Sequence, residues 1–420
     1  MQGASHFAPR TSYTHRANSN IHRLMLQLAL WVYEVRSAKC EAPCTPHLAL
    51  ATATQWLLNL CDPESGRVPN LGPNDGAYIL PLATLPFSDY RPVLQAASQA
   101  FLTEPAFEPG LWDEMSLWLT TDHRPPTANN SQPSAVRCPS SVIPLSTLHA
   151  PRSWAYLRAA HFTDRPGHAD QLHLDLWWRG LNIAQDAGTY LYNADPPWDN
   201  ALTRTAVHNT VTLNGQEQMT RAGRFLYLDR AQATWQKDSA AQITAQHNGY
   251  EKFGYIHRRT VEMLSPYKWE VRDEINTLEW EKSLKKSRFS WPPHQEPRFP
   301  KEPTEWFHPR LHWLLPDWPW EIDYLTAEDP LCYELRLASP VGEIKIRVSF
   351  DGFSFSMGGG MQVGLVRAGE LLFGNATPSP TQGWISPTYG VKEPALSFSL
   401  RLDSLTNRRF LTEFIFPEVE

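Results

Sequence analysis

The chain has 420 residues, enough for about two to three folding units. Hydrophobic residues make up 42 %, which supports sizeable cores and excludes wholesale disorder. Thirty-eight Lys and Arg against 44 Asp and Glu leave a net charge of −6, so there is no basic field to gather phosphates and nucleic acid is not an expected partner.

Taken in chain order, Met1–Arg10 has no apolar run, so no signal peptide is expected. Arg23–Arg36 is apolar on nearly every face (Leu24, Met25, Leu26, Leu28, Leu30, Trp31, Val32), which predicts a helix buried between neighbours. Its apolar stretch is too short to cross a bilayer, so no membrane span is expected. Cys40, Cys44 and His47 have a loosely metal-like spacing, but no second Cys/His pair completes a site. Thr45 and Pro46 form a plausible cap and first turn for a second helix lined by Leu50, Trp56, Leu57 and Leu60. The turn Asp62-Pro63-Glu64-Ser65-Gly66 ends it. Further helices are predicted from about Pro92 to Leu102 and over Leu111–Leu119. Helices in series suggest a bundle or part of an α/α toroid over residues 1–120.

Residues 121–150 turn to Pro, Ser, Thr and Asn, the composition of a linker. Beyond them the period changes from helical to strand-like. Leu172-His173-Leu174-Asp175-Leu176-Trp177 alternates strictly, the mark of a strand with one polar face. Asn214-Gly215 after Thr210–Leu213, and Asp351-Gly352 between two alternating runs, read as tight hairpin turns. Residues 281–304 read as a long loop. Gly358-Gly359-Gly360 lacks the Lys-Ser/Thr and helix that a phosphate loop requires. Helices first and strands after predict an α+β chain, with an antiparallel β part over residues 151–420.

The densest polar group lies between Arg165 and Asn209. His168, Asp186 and His208 are two imidazoles and a carboxylate from three segments, each separated by a span suited to a return along a sheet. Such a set can hold zinc, and histidines hydrogen-bonded within a core satisfy the same spacing. Asp170 and His173, on an alternating strand, are expected to complete hydrogen bonds at the sheet surface. Tyr190 and Tyr192, two apart, would share one face of a strand. Trp177-Trp178 and the group Trp306, Trp313, Trp318 and Trp320 read as core before sugar platform.

The series His168-Ala-Asp, Asp186-Ala-Gly-Thr-Tyr190 and His208-Asn209-Thr resembles the heparinase II/III-like polysaccharide lyases. Asn20-Ile21-His22-Arg23 is similar to that family's Asn-Tyr-His-Arg segment, and by motif the resemblance covers about residues 10 to 240. It implies a partial α/α toroid followed by an antiparallel β-sandwich. It further implies one structural zinc ion held by His168, Asp186 and His208, and β-elimination on uronate-containing, acidic polysaccharides. Catalytic candidates are then His22, Tyr190 and Tyr192, and substrate-binding candidates are Asn20, Arg23 and Arg165. Where the family carries a catalytic Tyr this chain has Ile21, and where many members carry a His two residues before the first zinc ligand it has Pro166. Neither side chain moves a proton. The resemblance therefore leaves three outcomes: a lyase using other groups, a non-catalytic binder of acidic glycans, or a remnant shortened at its N-terminus. Family members usually act outside the cytoplasm, so without an export signal the compartment stays open.

Overall fold

A computed structural model describes residues 18–37, 48–119, 146–163, 165–278, 308–325, 332–350, 360–403 and 409–418. The Cys40/Cys44/His47 spacing, the Thr45-Pro46 cap, residues 121–145 of the linker, the 281–304 loop, Trp306, the Asp351-Gly352 turn and Gly358-Gly359 lie outside these residues. The chain divides into two units, Met1–Leu145 and Ser146–Glu420.

In the first unit, helices α1 (Ser19–Ser37), α2 (Leu48–Leu58) and α3 (Arg91–Phe101) each pack on the other two. A 3-10 turn at Leu111–Asp113 runs into the short α4 (Glu114–Leu119). Pro92 opens α3, where a missing N–H costs nothing, and Val93, Leu94, Ala97 and Phe101 form its buried face. Gln95 is also buried: its amide bonds Phe107 O, Asp113 Oδ1 and the N–H groups of Ala106 and Phe107, tying the 106–113 loop to the helix. Helix α1 departs from expectation. It buries Leu26, Gln27 and Leu30 but leaves Leu28, Trp31 and Val32 exposed, so it is amphipathic, not enclosed. Buried Gln27 is satisfied by Leu80 O and Ile79 N–H, which explains why a polar residue takes the inward position.

The second unit begins at Ser146, inside the stretch read as linker, because β1 (Thr147–His149) pairs with β2 (Ser153–Leu157). Strands β3 (Leu174–Trp178) and β4 (Leu181–Ala184) complete this four-stranded antiparallel sheet. Next come β5 (Val211–Leu213) and the small hairpin β6 (Arg221–Gly223) and β7 (Leu226–Tyr227). They are followed by β8 (Ala233–Lys237), β9 (Gln242–His247), β10 (Tyr255–Ser265) and β11 (Lys268–Thr277). Four more strands are β12 (Pro309–Leu315), β13 (Trp320–Leu325), β14 (Cys332–Ser339) and β15 (Gly342–Ser349). The rest are β16 (Gly360–Arg367), β17 (Glu370–Gly374), β18 (Trp384–Ile385), β19 (Glu393–Pro394), β20 (Leu396–Asp403) and β21 (Arg409–Ile415).

An eight-stranded sheet runs β13-β14-β15-β21-β11-β10-β9-β8 and a five-stranded sheet runs β17-β16-β20-β12-β5, all antiparallel among the named strands. Period-two alternation sends Ile344, Ile346 and Val348 of β15 and Phe410 and Phe414 of β21 inward. They meet Trp313 of β12, Phe398 and Leu400 of β20, and Leu176 and Trp178 of β3 in one hydrophobic core. This is the interior of a β-sandwich. Trp177, Trp178 and Trp313 are buried core.

Two local readings change. Strand β3 is buried on both faces, because its second face is covered by the site described below, so Asp175 does not reach a surface. At Asn214-Gly215 both residues take left-handed conformations and the turn closes with a Leu213–Gln216 bridge. No hairpin follows, since β5 pairs with β12 instead.

Candidate metal centre and its surroundings

His168 lies in the 158–173 connection between β2 and β3. That connection is pinned at both ends by Leu172 N–H to Arg158 O and Arg158 N–H to His173 O. Ala169 N–H bonds Thr203 O, which joins it to the 200–208 segment. Asp186 follows β4 directly. Its Oδ1 accepts the Gly188 N–H at 2.8 Å in a tight turn that Gly188, with φ of +75°, is suited to make. His208 ends the 3-10 turn Thr205–Val207 and leads into β5. Three loops at one place on the sandwich therefore deliver the three side chains.

Their donor atoms lie within 4.8 Å of one another, and each side chain is at most 1 % exposed. His208 Nδ1 stands 3.9 Å from Asp186 Oδ2. Tetrahedral zinc with bonds near 2.1 Å sets its donors about 3.4 Å apart, so a contraction of a few tenths of an ångström closes this pair on an ion. His168 Nδ1, Asp186 Oδ2 and both nitrogens of His208 have no hydrogen-bond partner. Buried polar atoms are rarely left so, because each lost water contact costs free energy. One such atom from each of the three residues, clustered within 4.8 Å of the others, fits a bound cation. Burial pushes His168 down to about 4 and, with the neighbouring imidazoles, holds His208 well below its usual value; both stand neutral, as ligands must. Burial, with the neighbouring Asp175 and Asp170 carboxylates, raises Asp186 to about 7.

Around this set lies a shell of polar residues. His173 and Asp170 are fully buried rather than at a sheet surface, which corrects the expectation for both. Asn209 N–H donates to His173 Nδ1 at 3.0 Å, so the ring proton sits on Nε2, facing Asp175 at 3.1 Å and Asp186 at 3.7 Å. His173, Asp175 and Asp186 also come within metal-binding reach of one another. With its Nδ1 lone pair spent on Asn209, however, His173 is a donor to Asp175 and not a ligand for a second ion. Asp170 bonds the buried Arg158. Asn209 joins four segments: its Nδ2 donates to Leu174 O and Gln185 O, and its Oδ1 accepts Leu314 N–H. His312 Nδ1 holds the His208 carbonyl at 2.8 Å, and its Nε2 meets Ser397 Oγ at 2.7 Å.

The other candidates fall elsewhere. Tyr190 has a left-handed backbone (φ +61°) and Tyr192 follows in a loop, so the shared strand face is absent. The Tyr190 ring packs edge-on to Trp198, and Tyr192 packs on Phe225 and Tyr389. Arg165 is exposed. Asn20, His22 and Arg23 belong to the helical unit. Arg23 is fully buried, bonded to Phe87 O and Asn20 Oδ1 and ringed by Tyr78, Phe87 and Tyr90. A guanidinium so engaged anchors α1 and is not available to a ligand. His22 stacks on Trp56 and bonds Asn18 O, and Asn20 bonds Asp75. Ile21, between them, is 42 % exposed.

Sequence reasoning missed Arg158, Asp175, Gln171, Gln218 and His312, all buried and all bracing the three loops. Arg158, Gln171 and Gln218 lie between strands, and Asp175 sits on the polar face of an alternating run, so local pattern gave no sign of their burial.

Fold and site together define an antiparallel β-sandwich protein with a buried His/Asp/His set suited to a structural metal. The family model described as "Heparinase II/III-like, C-terminal" matches residues 146–409, and the chain belongs to that family. The solved structure of heparan sulfate lyase HepC from Pedobacter heparinus is similar in fold, with a TM-score of 0.56 at 14 % identity, covering 95 % of this chain and 52 % of that one. A mutant of the same lyase gives a TM-score of 0.57 with the same identity and coverage. A heparinase III structure aligns over 63 % of this chain and 33 % of its own at 13 % identity, and its TM-score of 0.42 carries no argument. The chain thus spans about half the length of the HepC lyase and about a third of that of the heparinase III structure. No curated protein matches it.

Proposed function

We propose that the protein acts on uronate-containing, acidic polysaccharides as a lyase-type member of its family, cleaving them by β-elimination. We further propose that His168, Asp186 and His208 hold one zinc ion. The observation that carries the reading is the clustering of three buried side chains, His168, Asp186 and His208, each with an unpartnered donor atom, within the family-matched region. An ion there supplies a fixed positive charge and a cross-link between three loops; at this depth it is structural. Gly188 N–H holds Asp186 Oδ1, and Asn209 ties the His208 loop to Leu174, Gln185 and Leu314. The helical unit is read as a segment of an α/α toroid, a reading supported by the mutual packing of α1, α2 and α3.

In the elimination, a base takes the proton from C5 of the uronate and its electron pair forms the C4=C5 bond. The C4–O4 bond breaks and O4 takes a proton. His22, whose pKa burial lowers, is a catalytic candidate in the helical unit, and Tyr190 and Tyr192 are catalytic candidates in the sandwich. A second reading has one specific observation in its favour: the position resembling the family's catalytic Tyr is Ile21, exposed and without a titratable group. On that reading the protein binds acidic glycans without cleaving them.

Incubation with heparan sulfate, hyaluronan and alginate, followed by ultraviolet absorbance of the unsaturated uronate, separates the two. Product from any one polymer is the expected result. Tight binding without product selects the non-catalytic reading, and neither binding nor product by the folded protein discards both.

A further inference from the structure

Resting on the acidic-glycan reading above, we infer that the sandwich carries its own anionic-sugar subsite, in a groove of about 660 Å³ beside the 200–208 segment. Four basic side chains line it, Arg204, Arg221, Arg224 and Lys252, against the two carboxylates of Asp199 and Glu217. On a chain of net charge −6 this is a local reversal of sign. Its volume falls in the range of ligand clefts.

The cations are aimed. Arg221 donates to Asp199 O at 3.2 Å and 3.3 Å, and Arg224 to Asp199 Oδ1 at 3.0 Å, which fixes both guanidinium groups at the groove wall. Lys252 is held at 2.9 Å by Asp229. Glu217 Oε2 accepts Thr205 N–H at 2.8 Å and so props up the far wall. Arg204 alone makes no ion pair with another described residue and is exposed. It is the free charge of the site.

The ligand's chemistry follows from what flanks these charges. Phe225, next to Arg224, is 48 % exposed and its ring meets that of Tyr192 at 5.1 Å. Arg224 also bonds Asn193, one residue on from Tyr192. Rings next to arginines suit a polymer with flat apolar faces and regularly spaced anions. Sulfated or carboxylated sugars and single-stranded nucleic acid both have that pattern. The sugar is the choice consistent with the acidic-glycan reading, and Asp199 and Glu217 offer acceptors to sugar hydroxyls. The groove is also linked to the metal set, since Thr205, whose N–H bonds Glu217, lies three residues before His208.

The test uses the full chain and measures Kd for heparan sulfate oligosaccharides, hyaluronan oligosaccharides and a single-stranded oligonucleotide, at two salt concentrations. For Arg204→Glu, and for Arg204→Glu combined with Lys252→Glu, a rise of about tenfold or more in the Kd for acidic oligosaccharide is expected. The salt dependence should become shallower, Arg204→Lys should restore most of the affinity, and the melting temperature of Arg204→Glu should stay at the wild-type value. If wild type binds an acidic glycan and both variants bind it within about twofold of that affinity, the groove is not the subsite while the acidic-glycan reading stands. If wild type binds no acidic glycan, the underlying reading fails and takes the groove with it. Tighter, Arg204-dependent binding of the oligonucleotide overturns the choice of ligand.

Discussion

Arg259 of β10 shows how a single side chain is held in the sandwich interior. On β10 the inward positions read Tyr255, His257, Arg259 and Val261, so one strand carries apolar and ionisable groups on the same buried face. Arg259 faces Asp273 of β11 in register and bonds both its carboxylate oxygens, at 2.8 Å and 2.9 Å. Its other nitrogen donates to Leu172 O and Asn209 O, the backbone beside the candidate metal ligands. Arg259→Met keeps the stem but strands a buried carboxylate and two carbonyls. A loss of about 3–5 kcal/mol is expected in urea unfolding, and a loss under about 1 kcal/mol would show that Asp273 finds another partner. The same row continues into His257 and His247. Gly249 N–H occupies His247 Nδ1, His247 Nε2 meets His257 Nδ1 at 3.3 Å, and His257 Nε2 meets Asp273 at 2.6 Å. Each ring therefore carries one proton and is neutral. Burial holds both histidines below their usual value, and it is Arg259 and His257 that keep Asp273 low despite burial. A folded pKa below the unfolded one contributes stability that is complete above the unfolded value and is lost as pH falls through the folded value. The melting temperature should accordingly fall between about pH 7 and pH 5, from the histidines, and fall further in stronger acid from Asp273. His247→Gln should flatten the first part of that profile, and an unchanged slope would show that other groups set it.

At the scale of elements, the loops after β4 and between β17 and β20 are joined by a lysine among rings. Lys392 Nζ sits 3.5 Å from the Trp198 ring centre, 4.0 Å from Trp384 and 5.3 Å from Tyr190. Burial lowers its pKa. Lys392→Ala should cost about 1 kcal/mol and speed proteolysis between Tyr192 and Trp198, whereas Lys392→Arg, still cationic, should recover most of the loss. Equal cleavage rates for wild type and Lys392→Ala would contradict this account of Tyr190, whose ring then needs another restraint. Much at this scale was legible beforehand. The helices near Arg23, Leu50, Pro92 and Leu111 and the strand at Leu174 follow from local period and capping, which short-range sterics enforce. Two features were not. Asn214-Gly215 forms a tight turn but not the expected hairpin, because β5 takes a partner almost a hundred residues away, β12, a choice made by long-range pairing. The burial of Asp175, His173 and Asp170 was hidden for the same reason, since a polar side of a strand looks identical whether it faces water or a hydrogen-bonded interior.

For the whole molecule, the helical unit keeps apolar residues of α1 exposed while the sandwich closes its own core. The family match confines itself to the sandwich, residues 146–409, and that is where the three loops meet. The set His168, Asp186 and His208 was visible in the sequence because each residue sits in a recognisable short motif; the network bracing it was not, because it is assembled from residues spread between Arg158 and Ser397. Everything proposed for the site depends on one cation joining those loops. Elemental analysis of the purified full chain tests that most directly, with circular dichroism to confirm folding. About one zinc per wild-type chain is predicted, falling to near zero in folded Asp186→Asn and His208→Gln. Wild-type protein without metal, or variants that retain it in full, would contradict the account.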